Sequence, residues 1–362
     1  MRIGIIAPPW IPIPPAAYGG IESFIDVLAR ALQDLGHDVA LAASSDSTCP
    51  VPRLPGFEPS DPAKMGVTSH ELQHLLRAFA ALDDVDVILD NTLAGPVLAG
   101  LAAQAPVVTV AHGPLIPLEQ ELYCAAPPDV AFVAISENQA SHSGHVPIAR
   151  VIPHGIVTED VPVGPGGDTA CFVGRMSPTK GLPEAIEAAA IAGIPLRIAA
   201  KMQEPAEEEY FEEAVRPSLG SNAEYLGELT AEEKYDLMGD SVALLNPIQW
   251  DEPFGLVMIE ALATGTPVVA TPRGSVREIV EEGRTGFIRS TPEGLAAALA
   301  EAGSLDRQAC RLAVEQRFTA RRMAEDYVAL FRDLQRERNR PERAGAARPA
   351  AMTLPDDGTS FM

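Results

Sequence analysis

Two α/β domains, each a doubly wound parallel sheet with helices on both faces, set opposite one another across a cleft, are what this sequence predicts. Three observations lead there. Short apolar runs alternate with helical periodicity along the 362 residues, the pattern of parallel strands covered on both faces. The alternation restarts near residue 169, after a stretch rich in proline and glycine. The chain is also long for one core and comfortable for two.

The first strand is the apolar run of Ile3, Ile5 and Ile6 within residues 1–9. A proline-rich loop follows, then Tyr18-Gly19-Gly20-Ile21-Glu22 and a helix that puts Ile21, Phe24, Ile25, Leu28 and Leu32 on one face. Strand, glycine turn and helix in that order open a doubly wound domain, whose ligands gather beyond the carboxyl ends of its strands. Further strands are predicted at residues 39–43, 85–89, 107–110, 130–135 and 151–152, which gives a first domain over 1–160. Residues 158–168, with Pro162, Pro165 and three glycines, read as a linker. A second domain over 165–318 then begins with a strand at 169–173 and the loop Gly174-Arg175-Met176-Ser177-Pro178-Thr179-Lys180-Gly181. A helix at 183–192 follows, with strands at 196–200, 224–226, 242–245, 268–270 and 286–288. A helix at about 320–336 aligns Met323, Tyr327, Leu330, Phe331 and Leu334, and residues 341–362 have the composition of a disordered tail.

Composition narrows the function classes. Apolar residues make up 46% of the chain, enough for both cores. The net charge is −23, and residues 1–160 carry 6 Lys/Arg against 18 Asp/Glu, a surface that repels nucleic acid and anionic lipid headgroups. The four cysteines show no C-x2-C spacing, and no charged and apolar leader precedes them, so a reduced cytoplasm without structural zinc is the expectation. Residues 93–111 are almost wholly apolar and roughly of membrane-spanning length. Pro96, Gln104 and Pro106 divide them, and a helix followed by a buried strand is preferred to a span.

The most informative stretch is residues 250–270, WDEPFGLVMIEALATGTPVVA. Pro253 suits a helix entrance, Gly265 a left-handed exit, and an apolar strand begins at Pro267. Glu252 and Glu260 stand eight residues apart across the helix start. Eight helical residues span ~12 Å, more than the ~5–9.5 Å between the carboxyl groups of a glycoside hydrolase. The spacing suits holding two ends of one extended ligand, with the anion-attracting helix N-terminus between them. At residues 252–270 the sequence resembles the E-x7-E motif of the retaining glycosyltransferases of family 4. The resemblance extends over about residues 1–335 and is most specific at 169–181 and 222–288.

The resemblance implies the two-domain GT-B fold, with the C-terminal helix crossing back to the first domain. It implies that Glu260 holds the ribose hydroxyls of a nucleotide and that Glu252 reaches the donor sugar. Phe254, Gly255 and Leu256 would offer backbone N–H groups at the helix entrance. Arg175 and Lys180, in the loop after the first strand of the second domain, match the family's G-R…K-G pattern and would neutralise a diphosphate leaving group without a metal. The plainer readings are solvated surface charges for Arg175 and Lys180, an exposed helix carboxylate for Glu260 and a first-turn residue for Glu252. From the first domain, Gly19 and Gly20 would let backbone approach the diphosphate and acceptor, with Glu22 beside them, although a Gly-Gly pair alone means only a turn. His112 matches the family histidine that contacts the donor sugar; a structural strand-end histidine is the other reading, and Gly113 stands where the family often has Asp. His154-Gly155-Ile156 resembles the family's P-[NH]-G-[IV]-[DN], with Val157 in place of the acid, and reads as a turn leading to the hinge.

The predicted activity is therefore retaining, metal-independent transfer of a glycosyl group, of hexosyl type, from a nucleotide diphosphate sugar to an acceptor hydroxyl. No cofactor and no metal site is expected, since Asp84-Val85-Asp86 runs into a predicted strand. Expected partners are the donor and an unidentified hydroxyl acceptor, without nucleic acid, and with membrane contact only if the acceptor is a lipid. Two other classes stay open. A nicotinamide oxidoreductase shares the double-sheet pattern but needs a G-x-G-x-x-G that stands after neither Ile6 nor Val173. A non-catalytic nucleotide-sugar-binding protein would use the same residues.

Overall fold

The computed structural model describes residues 1–16 and 19–339; Tyr18 and the expected tail at 341–362 lie outside them. The strands of the first half are β1 (Arg2–Ile6), β2 (Asp38–Ala42), β3 (Val87–Asp90), β4 (Val107–Val110), β5 (Ala131–Ala134) and β6 (Ile148–Val151). Those of the second half are β7 (Ala170–Arg175), β8 (Leu196–Lys201), β9 (Ala223–Gly227), β10 (Leu244–Asn246), β11 (Val268–Ala270) and β12 (Gly286–Ile288). They form two parallel six-stranded sheets, ordered β2-β1-β3-β4-β5-β6 and β12-β11-β10-β7-β8-β9. Central strands such as β3, β4 and β5 are buried at every position, as helices on both faces require.

Two strands differ from their predicted extents, each for its own reason. The expected strand at 151–152 is instead β6, half-buried at the sheet edge and paired to β5 through a register shift, so the apolar signal there is weak. At β7 the ladder with β8 extends through Arg175↔Lys201, which makes Arg175 a strand residue and not a loop residue.

The apolar run at 93–111 is a short helix, Gly95–Ala102, followed by β4. No helix among the described residues is long and apolar enough to cross a membrane.

The last helix, Ala320–Arg338, packs on the first, Gly20–Asp34, with Tyr327 6.1 Å from Phe24 and 6.0 Å from Phe331 between ring centroids. Each such buried side chain contributes ~1.5–3 kcal/mol, which holds the C-terminal helix on the first sheet. The chain crosses between halves twice, and the crossings touch. Ile156 N–H donates to Phe318 O and Ala320 N–H to Ile156 O, both at 2.9 Å. A Cβ on Gly155 would lie 2.2 Å from Thr319 O, so only glycine permits this approach. The segment after the crossing is firmly bound. Arg311 donates to Thr158 O and Val161 O, and Arg307 to Gly164 O, Gly239 O and Thr264 O.

Candidate active site

In the second sheet the order reverses between β7 and β10, the place where doubly wound sheets bind ligands. A cleft of about 1220 Å³, open to solvent, lies there and is lined from both halves. Gly19, Gly20, His112, Ile135 and His154 come from the first half, and Gly174, Lys180, Lys201, Lys234, Asn246 and residues 252–257 with Glu260 from the second.

The loop before the helix Leu256–Ala263 sets the second wall. Gly255 is left-handed at φ 83° and caps that helix, so the helix starts at Leu256, three residues after Pro253. Glu252 is thereby a loop residue outside the helix, not a member of its first turn. Its backbone is packed under Gly274, where an added Cβ would approach to 2.2 Å. Its carboxylate accepts from Lys180 Nζ at 2.5 Å and from Trp250 Nε1 at 2.8 Å. One turn into the helix, Glu260 accepts from Lys234 Nζ at 2.7 Å. Both pairs are mostly shielded from solvent, with side-chain exposures of 14–23%. Leu256 and Val257, in the first turn of the helix where backbone N–H groups have no intrahelical partner, line the cleft with both carboxylates.

On the facing wall, Gly20 begins the helix Gly20–Asp34, and a Cβ there would lie 3.8 Å from Leu256 Cδ1. The two halves meet at this point. His112, just past β4, lies 3.0 Å from Asn91 Oδ1 through Nε2 and stacks on His154 at 5.7 Å. Burial pushes its pKa down to about 3, and burial likewise takes His154 well below the usual histidine range, so both rings are neutral. His154 also meets Phe254 edge-on at 5.0 Å, linking the first wall to the loop between the two glutamates.

Nine of the sequence-predicted residues therefore share one cleft: Gly19, Gly20, His112, Lys180, Glu252, Phe254, Gly255, Leu256 and Glu260. Two do not. Glu22 is buried behind Gly19, where an added Cβ would lie 2.9 Å from its Oε2, and burial raises its pKa. Arg175 ends β7; side chains alternate along a strand, and while Gly174 lines the cleft, Arg175 Nε lies 3.7 Å from Glu207.

Sequence reasoning passed over Lys201, Lys234, Asn91 and Asn246, and read His154 as part of a turn where the structure places it in the cleft lining. Lys201 ends an apolar strand in register with Arg175, a signal that marks the same sheet edge. Its Nζ has Glu204 at 3.4 Å on the exposed side. Asn246 ends β10 with its buried Nδ2 unpartnered, a donor aimed at nothing the protein supplies.

The model for glycosyl transferases group 1 matches residues 160–317, and that for glycosyltransferase family 4 matches residues 18–160. The chain belongs to glycosyltransferase family 4. It is 26% identical over 348 residues to the phosphatidyl-myo-inositol mannosyltransferase of Mycolicibacterium smegmatis, covering 83% of this chain and 84% of that one. Over 93 residues, 23% of this chain and 22% of its relative, it is 39% identical to the D-inositol 3-phosphate glycosyltransferase of Corynebacterium urealyticum. Among solved structures it is similar to a glycosyltransferase of avilamycin A biosynthesis, with TM-score 0.74 and 26% identity over 95% of this chain and 98% of that one. The Anabaena HepE structure with UDP and glucose, at TM-score 0.74 and 19% identity over 92% and 99%, shares the fold. This family 4 protein is thus a GT-B glycosyltransferase that takes its sugar from a nucleotide sugar, which sets aside the oxidoreductase and the non-catalytic binder.

Proposed function

We propose that the transfer retains configuration at the anomeric carbon, needs no metal, and delivers a hexosyl group to a hydroxyl. One observation carries this reading. Lysines and glutamates are paired along a single wall, Lys180 with Glu252 and Lys234 with Glu260, opposite a neutral wall of Gly19, Gly20 and His112. An arriving diphosphate competes with Glu252 for Lys180, so the leaving group gains a cation and Glu252 is released toward the sugar. Lys201 on the same wall adds a second cation, and Arg175 joins only by leaving Glu207. Glu260 takes the ribose hydroxyls. Among the described residues no carboxylate lines the opposite wall to act as a nucleophile, which favours same-face substitution in which the leaving phosphate helps deprotonate the acceptor. Catalysis is then chiefly positioning and charge stabilisation in a closed cleft.

The acceptor is a hydroxyl compound, and a polyol of the inositol kind is the class that the names of the mannosyltransferase and inositol-phosphate glycosyltransferase relatives support. Membrane contact follows only if that acceptor is a lipid, and the site of action is the cytoplasm. The test is a panel of nucleotide sugars and polyol acceptors in EDTA, with the anomeric configuration of the product read by NMR. Inverted product removes the retaining mechanism, and activity that returns only with Mg²⁺ or Mn²⁺ removes metal independence.

A further inference from the structure

Asn91 follows β3 and is buried behind His112, which lines the cleft. Its backbone N–H and its side-chain Nδ2 both donate to Ile6 O, at 3.1 and 2.9 Å. A carbonyl oxygen only accepts, so the amide is held with Nδ2 toward Ile6 and Oδ1 away from it. Oδ1 is then the atom 3.0 Å from His112 Nε2, and because it too only accepts, Nε2 carries the hydrogen. The imidazole is neutral, enclosed by Phe24 at 5.0 Å and by the stacked His154. A neutral imidazole has one donor and one acceptor, which leaves Nδ1 as a bare lone pair. Among the described residues Nδ1 has no hydrogen-bond partner, while the ring lines the cleft.

We propose that Asn91 is a positioning residue that locks His112 in the Nε2–H tautomer, so that the cleft presents Nδ1 as a hydrogen-bond acceptor to a hydroxyl of the glycosyl donor. The inference rests on the reading of His112 as a donor-sugar contact and adds what sets its chemistry. The ligand group facing His112 must then be a hydrogen-bond donor. A sugar in which that hydroxyl is methylated or absent is discriminated against, because a buried acceptor is left unmet.

The test is ¹⁵N NMR of the full chain labelled at histidine, with the His112 signal assigned by His112→Gln. The expected spectrum near neutral pH shows Nε2 protonated and Nδ1 not; an Nδ1–H ring or an even mixture overturns the proposal. This result needs no variant to fold. In Asn91→Leu, with its melting temperature checked, the tautomers should mix. Its kcat/KM for the nucleotide sugar should fall roughly 5- to 10-fold, the scale of one lost hydrogen bond, while the Kd for the nucleoside diphosphate alone stays within about twofold. An unchanged tautomer in Asn91→Leu overturns the role of Asn91 and leaves the reading of His112 standing. A changed tautomer with unchanged kcat/KM overturns the contact between His112 and the donor.

Discussion

The two walls of the cleft are built differently. Among the described residues the first, from Gly19, Gly20, Ser23, His112 and His154, carries no acidic, lysine or arginine side chain, and burial holds both histidines well below the usual histidine range. The second carries Lys180, Lys201, Lys234, Glu228, Glu252 and Glu260. The charged wall stands at the switch point of its sheet and suits a nucleotide and its phosphates. The neutral wall suits sugar and acceptor hydroxyls, which are read by direction and not by charge. On the proposed reading, one cleft would hold an anionic and a neutral group side by side, each against the wall that suits it.

The comparison breaks most visibly at Lys180. Lys180→Ala removes the cation proposed to meet the leaving group and should lower kcat roughly 10²–10³-fold with little change in melting temperature. A loss no larger than that of an exposed lysine variant would end the idea of a charged wall that acts on the leaving group. Next comes Glu260→Ala, which should weaken nucleoside diphosphate binding by roughly 1.5–3 kcal/mol, read by calorimetry. Unchanged affinity would move the ribose elsewhere.

A third measurement sharpens where the wall ends. Lys201→Ala should lower turnover more than Arg175→Ala, because Lys201 lines the cleft and Arg175 lies against Glu207. The reverse order would show that Arg175 swings in with the donor.

The smallest effect concerns the neutral wall. His112 at about 3, His154 well below its usual range and, outside the cleft, His74 at about 4 are all depressed by burial. The unfolded chain takes up protons below its ordinary histidine pKa of about 6.5, and the folded chain does so only near the lowered values. Stability should therefore fall as pH drops from about 6.5 toward 4. Asp90, raised to about 7 by burial, acts in the opposite sense as it loses its proton. The informative quantity is thus the slope of melting temperature against pH, which should flatten in His154→Phe; an unchanged slope would show that His154 is not held neutral.

Much of this was legible because the physics is local. Parallel strands buried on both faces announce themselves as apolar runs, so β4, β11 and β12 fall where the sequence puts them, whereas the half-buried edge strand β6 does not. Residues 252–260 were legible because a loop and the helix it enters lie next to one another in sequence, although the helix holds only Glu260 and the loop holds Glu252. Arg175 and Glu22 were read from their neighbours in sequence, but which face a side chain takes depends on how far a strand ladder runs and how a helix rolls on its sheet. Lys201 reaches the cleft from another strand and Asn91 touches it only through His112, and no short-range pattern joins either of them to it. The proline- and glycine-rich stretch at 158–168 looked like a loose tether. Its glycines instead allow close packing, as at Gly164, where an added Cβ would lie 2.3 Å from Gly239 O.

The paired crossings give the chain an unusual economy of connection. The strand leaving the first half at Ile156 and the one returning at Phe318 to Ala320 are one hydrogen bond apart. The second half is in effect a module plugged into a two-pin socket. A rotation of one half against the other must twist both pins together about the ribbon they form, with sideways sliding opposed by the bonds between them. The same socket marks where a shortcut would fit: the two crossings run parallel at Ile156 and Thr319, so a short link stepping sideways from one to the other would rejoin the first sheet to its own C-terminal helix.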